Sequence, residues 1–258
     1  MCIRDSYKVA REITPYAGLV YDLDARHSLY ASWTEIFQPQ SAVDVNGDLL
    51  KPVTGTNYEA GIKGEYFDGQ LNASLAVFQV SQENRAMTDL TGPSPCPGTA
   101  STWCSRAAGE VESKGIELEV GGELSPGWQA TAGYTYVAAK YVSDSDASNI
   151  GKLFDADLPR HQFKVSTSYR LPGDLNRWRV GGSLSAQNAV YSSDNPNIRQ
   201  GGYTVVGLHA AYQFDDHLSL RLNVNNAFDK TYHQIGWTAG GNSYGTPRSA
   251  TVTLNYKL

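Results

Sequence analysis

The feature that most constrains this chain is a two-residue rhythm of apolar and polar side chains, held over stretches longer than an ordinary strand. Leu218, Leu220, Leu222 and Val224 alternate with Ser219, Arg221, Asn223 and Asn225; Val252, Leu254, Tyr256 and Leu258 alternate with Thr251, Thr253, Asn255 and Lys257. Phe163, Val165, Tyr169 and Leu171 are set in the same way against Gln162, Lys164, Ser168 and Arg170. A period of two belongs to extended backbone, whose successive side chains point to opposite faces. Followed along the chain, the rhythm predicts strands over Ile13–Asp22, His27–Phe37, Thr56–Phe67, Leu71–Gln82, Val111–Leu124, Trp128–Tyr141, Pro159–Leu171, Trp178–Tyr191, Gly202–Phe214, His217–Phe228 and Thr246–Leu258.

The connections rotate between two kinds. Turns of a few residues follow the first, third, fifth, seventh and ninth segments, as at Asp68-Gly69-Gln70 and Ser125-Pro126-Gly127. Long polar connections follow the others: Gln38–Gly55, Glu83–Glu110, Val142–Leu158, Ser192–Gly201 and Asp229–Gly245, of which Glu83–Glu110 is the longest. Strands of a soluble sandwich centre on about five or six residues, whereas ten or more, tilted, cross a hydrocarbon core of about 30 Å. Short turns on one side and long loops on the other are the habit of outer-membrane barrels. Phe37, Phe67, Trp128, Tyr141, Trp178, Tyr191, Phe214 and Phe228 fall at segment ends, where an interfacial aromatic girdle belongs. The expected fold is all-β, an antiparallel transmembrane barrel of which about eleven strands lie in this chain. Unpaired backbone groups in hydrocarbon cost several kcal/mol each, so an odd strand count implies further strands elsewhere.

Composition agrees and excludes other classes. A mean hydropathy of −0.39 is what a barrel gives when polar lumenal positions offset lipid-facing ones. A net charge of −5 opposes a nucleic-acid partner, which needs a basic excess. No run of apolar residues reaches the 18 or so of a membrane helix. Glu117 and Glu119 share a strand face without a histidine or nucleophile beside them, so no enzyme chemistry is expected. Cys96 and Cys104, in the longest loop, are expected to form a disulfide contributing roughly 2–3 kcal/mol; a metal pair is the alternative, and no histidine is near. The opening residues 1–6, including Cys2, have no apolar core stretch of a signal peptide and read as a non-native header, leaving 7–258 as the barrel portion.

Specific stretches then resemble a known family. Tyr30–Gln40 looks like a strand ending in a Phe-x-Pro step into an outer loop, Leu50–Glu65 like the next strand, and Leu71–Phe78 like the one after. Ser113-Lys114-Gly115-Ile116-Glu117-Leu118-Glu119 matches an S-x-G-x-E-x-E strand; Leu222–Tyr232 is similar to an L-x-V-x-N-L-F-D-K-x-Y signature, and Tyr244-Gly245-Thr246-Pro247-Arg248 to a G-x-P-R step into the final strand. In order, and over nearly all of Tyr7–Leu258, they resemble the TonB-dependent ferric-siderophore receptors, most of all those for ferric coprogen, rhodotorulic acid and pyoverdine. The resemblance implies a C-terminal part of a 22-stranded plugged barrel in the bacterial outer membrane. It implies uptake of a ferric siderophore driven by the TonB complex through an N-terminal region not contained here. It implies no cofactor beyond the iron of the ligand. The partners it implies are the siderophore, outer-membrane lipid and the barrel-assembly machinery. A passive porin is the alternative, and a soluble all-β protein a third. Family chains usually end in Phe; Tyr256 and Leu258 stand here as the assembly signal.

Aromatic faces suit planar chelating groups, which makes Trp103, Tyr191, Tyr232, Trp237 and Tyr244 candidate ligand contacts, with Arg85, or Arg106, for an anionic chelate. Girdle packing is the competing reading for Tyr191 and Tyr232, and solvated loop charge for the arginines. Lys63, Glu65, Lys114, Glu117, Glu119, Lys164, Arg170 and Arg221 are assigned to the lumen, against a plug or one another. Asn195-Pro196-Asn197 reads as a turn.

Overall fold

The structure is a computed structural model that describes residues 13–99, 101–192, 195, 197–234 and 242–257. The residues 1–6 read as a header, Trp237 and Leu258 lie outside the described residues. The strands are β1 (Tyr16–Asp22), β2 (His27–Gln38), β3 (Val53–Tyr66), β4 (Leu71–Thr88), β5 (Ser105–Ser125), β6 (Trp128–Ser143), β7 (His161–Arg170), β8 (Trp178–Gln187), β9 (Val190–Tyr191), β10 (Arg199–Gln200), β11 (Tyr203–Gln213), β12 (Leu218–Asn225), β13 (His233–Gln234), β14 (Ser243–Tyr244) and β15 (Ser249–Tyr256). Eleven form one antiparallel sheet in the order β1-β2-β3-β4-β5-β6-β7-β8-β11-β12-β15; β9 with β10, and β13 with β14, are two-residue ribbons in the loops.

Each main strand pairs with its neighbour in sequence, and the register carries the alternation from strand to strand. One cross-strand row runs Tyr21, Leu29, Ile62, Leu75, Leu118, Tyr134, Phe163 and Ala186. A second runs Val120, Ala132, Val165, Leu184 and Val206, and a third Trp128, Tyr169, Val180, Ala210, Leu222 and Val252. These rows make a continuous apolar belt on one face. The opposite face carries rows such as Ser28, Lys63, Ser74, Glu119, Gly133, Lys164 and Ser185.

The belt is uncovered. Val77 is 50% exposed and Leu254 64%, and no second sheet or helix packs over them among the described residues. A water-soluble protein of this size buries such a face, because burial stabilises by about 25 cal/mol per Å². A barrel wall turns it to lipid. The soluble sandwich is thereby excluded. At the short-turn end the belt is edged by aromatic contacts: His27 on Tyr66, Trp128 on Tyr169, Trp178 on Tyr212 and Phe214 on Tyr212, with centroids 4.8–6.1 Å apart.

Several expectations change. The connection Glu83–Glu110 is strand at both of its ends: β4 and β5 run on until Thr88 pairs with Ser105, leaving Asp89–Cys104 as the loop. Polar side chains on both faces hide the rhythm in these arms, since neither face meets lipid. The segment Trp178–Tyr191 ends at Gln187, and Tyr191 belongs to the β9–β10 ribbon. Lys114 is not lumenal. It shares its face with Ile116 and Leu118, above the belt, and pairs with Glu112 at 2.8 Å. Tyr141 is not in the girdle. It lies on the Glu117–Thr135 face and packs edge-on against Phe154 at 5.1 Å.

Candidate ligand-binding rim

Beyond the belt, on the long-loop side, strand arms and loops form a polar crown. The β4–β5 arm is bent where Gln82 and Arg85 fall out of register, with Asn84 in the left-handed region at φ 61°. Asparagine tolerates that conformation better than most residues. The Gln40 side chain splints the bend: its Nε2 donates to the Asn84 carbonyl at 2.8 Å and its Oε1 accepts from the Ala86 N–H at 3.1 Å. At the tip, Cys96 and Cys104 are joined by a disulfide and are almost wholly buried. The Ser105 N–H donates to the Val43 carbonyl at 2.9 Å, which ties the arm to the β2–β3 loop.

The β6–β7 loop folds back along the upper edge of β6. The Val137 N–H donates to the Arg160 carbonyl, Phe154 N–H to Ala139, and Tyr141 N–H to Lys152, each at 2.9–3.1 Å. Edge groups of β6 that β7 does not reach are thus satisfied, and Phe154 is delivered to Tyr141. Arg85 of the neighbouring arm lies 4.3 Å over the Phe154 ring and donates to Gln82 Oε1 at 2.6 Å. Asp155 stands beside them. Burial pushes its carboxyl up, Asp157 adds to this, and Arg85 pulls it back.

Contacts continue from here round the mouth. The Tyr191 N–H donates to the Ala156 carbonyl, and the Arg199 guanidinium stands 5.5 Å over the Tyr191 ring. The Gln200 side chain accepts from the His233 N–H at 2.8 Å. Next to it Tyr232 stacks on Tyr203 at 4.3 Å and 21°, and His233 lies 4.5 Å from Tyr244. The two signature stretches of β12 and β15 meet beneath this point. Buried Asn226 donates to the carbonyls of Lys230 and Thr246, and Asp229 accepts from the Arg248 N–H at 3.0 Å. Gly245 must lack a side chain, because a Cβ there would sit 2.1 Å from the Tyr232 ring.

Arg85, Tyr191, Tyr232 and Tyr244 are therefore strung along one rim together with Phe154, Tyr141, Tyr203, Arg199 and His233. Trp103 stands apart, 42% exposed beside the disulfide; Arg106 pairs with Met87 in the arm. Phe154 and Arg199 had no signal in the sequence, for they lie in loops. Tyr203 and Tyr141 had one: each alternates with belt residues of its own strand, and so faces inward. The Asn197 N–H donates to Asn195 Oδ1 at 3.0 Å; Pro196, the middle residue of the expected turn, lies outside the described residues. Among the described residues no group of three or more His, Cys, Asp or Glu side chains is placed to hold a metal ion.

A single antiparallel sheet with a lipid-facing belt, aromatic edging and a loop crown is a stretch of an outer-membrane β-barrel. The TonB dependent receptor-like β-barrel family model matches residues 3–227, and the chain belongs to that family. It is similar to the ferripyoverdine receptor of Pseudomonas aeruginosa, 43% identical over 252 residues that make up 94% of this chain and 30% of that receptor. A ferric-pyoverdine 358 receptor of Pseudomonas putida is 39% identical over 95% of this chain and 29% of its own length. The crystal structure of the P. aeruginosa outer-membrane receptor bound to ferripyoverdine shares the fold with a TM-score of 0.81 and 39% identity, over 94% of this chain and 32% of that one. The chain thus spans about three tenths of these relatives.

Proposed function

We propose that this chain is the barrel portion, over 7–258, of an outer-membrane receptor that takes up a ferric siderophore of the pyoverdine class. The observation that carries this reading is the inward rim of aromatic faces and arginines. Flat rings offer contact area at low entropic cost, and the guanidiniums of Arg85 and Arg199 match the negative charge of a ferric chelate. Tyr191, Tyr232 and Tyr244 extend the contact round the mouth, with Trp103 as an outer contact and Trp237 as a further candidate contact. No bond is made or broken in this process, and the iron travels with the ligand, so no cofactor or enzyme activity is invoked.

The remaining strands of a 22-stranded wall, a plug within it and the segment that meets the TonB complex belong to polypeptide outside 7–258. Tyr256, facing outward at the end of β15 with His217 beside it, and Leu258 present the carboxyl-terminal signal to the barrel-assembly machinery. Outer-membrane lipid is the partner of the belt. A passive porin has no need of such a rim, and the relatives named above are receptors.

The test uses the full-length receptor that contains this chain, purified and in cells. Arg85→Ala with Phe154→Ala is expected to weaken ferric-siderophore binding roughly tenfold, equivalent to about 1.4 kcal/mol, while heat-modifiable gel mobility is kept. Radiolabelled iron uptake is expected to cease in cells lacking TonB. Unchanged affinity in the double variant, or uptake that persists without TonB, refutes the reading.

A further inference from the structure

The two edges of the lipid-facing belt differ in charge. From the row of Leu29, Leu75, Leu118 and Phe163 down to the short turns, the outward strand positions of the main sheet carry no Asp, Glu, Lys or Arg. Aromatic rings edge the belt there. On the long-loop side charges begin two rows higher, with Lys114 on β5 opposite Gln79 of β4 and Ala138 of β6. In the next row Glu112 stands opposite Lys140. The two lysines are therefore roughly 8 Å apart at the backbone, from strand spacing and rise, and Ala138 leaves the space beside Lys114 open.

The Glu112 carboxylate is already occupied, one oxygen by the Lys114 ammonium at 2.8 Å and the other by Gln79 Nε2 at 2.6 Å. Lys140 takes part in neither ion pair found among the described residues, and Lys114 keeps 60% of its side chain exposed. Glu83 lies one row higher, and Glu35 three strands away along the Glu112 row. The trio of Glu112, Lys114 and Lys140 thus carries one net positive charge immediately above the apolar rows, at the level of lipid headgroups. Lysine suits that level, its stem lying on apolar surface and its ammonium in the polar layer.

Below and beside the trio the belt is dented. In the row Leu19, Ala31, Ala60, Val77 two alanines stand side by side. With Leu29 and Ile62 these residues line an outward apolar groove of about 530 Å³, and Val77 adjoins Ile116, which lies two residues from Lys114.

We propose that Lys114 and Lys140 hold the phosphate of a glycolipid of the outer leaflet, with one of its acyl chains in the Ala31–Ala60 groove. Two ammoniums on long stems converge on one phosphate. A carboxylate between them repels a bare phosphodiester but accepts hydrogen bonds from hydroxyl groups, so a phosphorylated sugar matches the trio better than a simple phospholipid. The inference rests on the reading of the sheet as a lipid-facing wall with its long loops outward.

The test uses the full-length receptor, reconstituted with diphosphoryl lipid A and released for native mass spectrometry. The parent is expected to retain a single copy. Lys114→Gln with Lys140→Gln, which leaves a donor for Glu112, is expected to lower occupancy roughly thirtyfold, whereas Lys114→Arg with Lys140→Arg keeps it. Ala60→Phe fills the groove without touching the charges and is expected to lower occupancy severalfold. No retention by the parent, or equal retention by the glutamine variant, overturns the proposal. So does equal retention of dephosphorylated lipid A. Equal retention of phosphatidylglycerol overturns the assignment to a glycolipid. Heat-modifiable mobility and ferric-chelate affinity are expected to be unchanged in the glutamine variant; a parent without heat-modifiable mobility refutes the barrel reading itself, so the two failures are distinct.

Discussion

Belt and crown are made by the same strands and held by different forces. In the belt, every second residue is apolar and the register aligns these residues into rows, so one slip would turn a whole strand's apolar set into the lumen. Its stability comes from lipid contact and from closure of backbone hydrogen bonds. In the crown both faces of each arm are polar, and order comes from discrete devices: the Gln40 splint at the β4 bend, the Cys96–Cys104 disulfide, aspartate-capped turns and the Asn226 knot. The wall must therefore be robust as a whole, whereas the crown is a set of local structures, each free to vary on its own.

The largest effect that would sharpen this contrast is a charge in the belt. Ile116→Arg, in the row Ala60, Val77, Ile116, Tyr136, is expected to cost about 2–4 kcal/mol near mid-membrane and to abolish the heat-modifiable folded band. Leu90→Arg in the crown, where the side chain is 60% exposed, is expected to change stability by about 0.5 kcal/mol or less. Equal losses from both would break the comparison.

Next comes the disulfide. Cys96→Ser with Cys104→Ser removes a short closed loop worth roughly 2–3 kcal/mol, felt where it acts. Protease cleavage within Asp89–Cys104 should quicken at least tenfold, with the gel mobility of the barrel unchanged. A barrel that melts with its loop would show that crown and belt fold as one unit.

The division also marks what was legible in the sequence. All eleven strands of the sheet followed from the period-two rhythm, because lipid on one side and water on the other write every residue of the belt. The arms of β4 and β5 were invisible, since Ser81–Thr88 has no apolar face and the bend at Asn84 breaks what rhythm remains. Lys114 was misplaced by its charge, although it stands two residues from Ile116 on the same face; parity was the better guide. Of the rim, Arg85, Tyr191, Tyr232 and Tyr244 were picked out by residue type. Their connection through Phe154, Arg199 and Gln200 depends on how three loops cross, which no local pattern encodes.

A smaller effect tests whether the crown devices are separable. Gln40→Ala removes a donor and an acceptor from the bend at a cost of about 1–2 kcal/mol. Hydrogen exchange at the Ala86 amide should quicken roughly tenfold, matching about 1.4 kcal/mol, with protection of the disulfide tip unaltered. Loss of protection at the tip as well would make splint and disulfide one cooperative unit.

The smallest effect separates the two regions by pH alone. Asp44, Asp89 and Asp146 are held below the ordinary carboxylate value of 3.8, chiefly by hydrogen bonds from the Asn46 N–H, from Thr91 and from the Ser148 N–H respectively. A depressed carboxyl contributes stability that is complete above its unfolded value and is lost as pH falls through its folded one. Asp155 is shifted the other way, by burial: its contribution is fully present below the unfolded value and fades as pH rises through the raised one. Lowering pH from about 5 to about 3 should therefore speed hydrogen exchange in the turns at 44–48, 89–92 and 146–149 and slow it around 155. Strands β8, β11, β12 and β15, which contain no Asp or Glu, should not respond. Asp44→Asn keeps an acceptor for the Asn46 and Asp48 N–H groups but cannot titrate, so the response at 44–48 should flatten in that variant while those at 89–92 and 146–149 persist. A response in the belt strands, or one that survives Asp44→Asn, would mean that the turns are coupled to the wall.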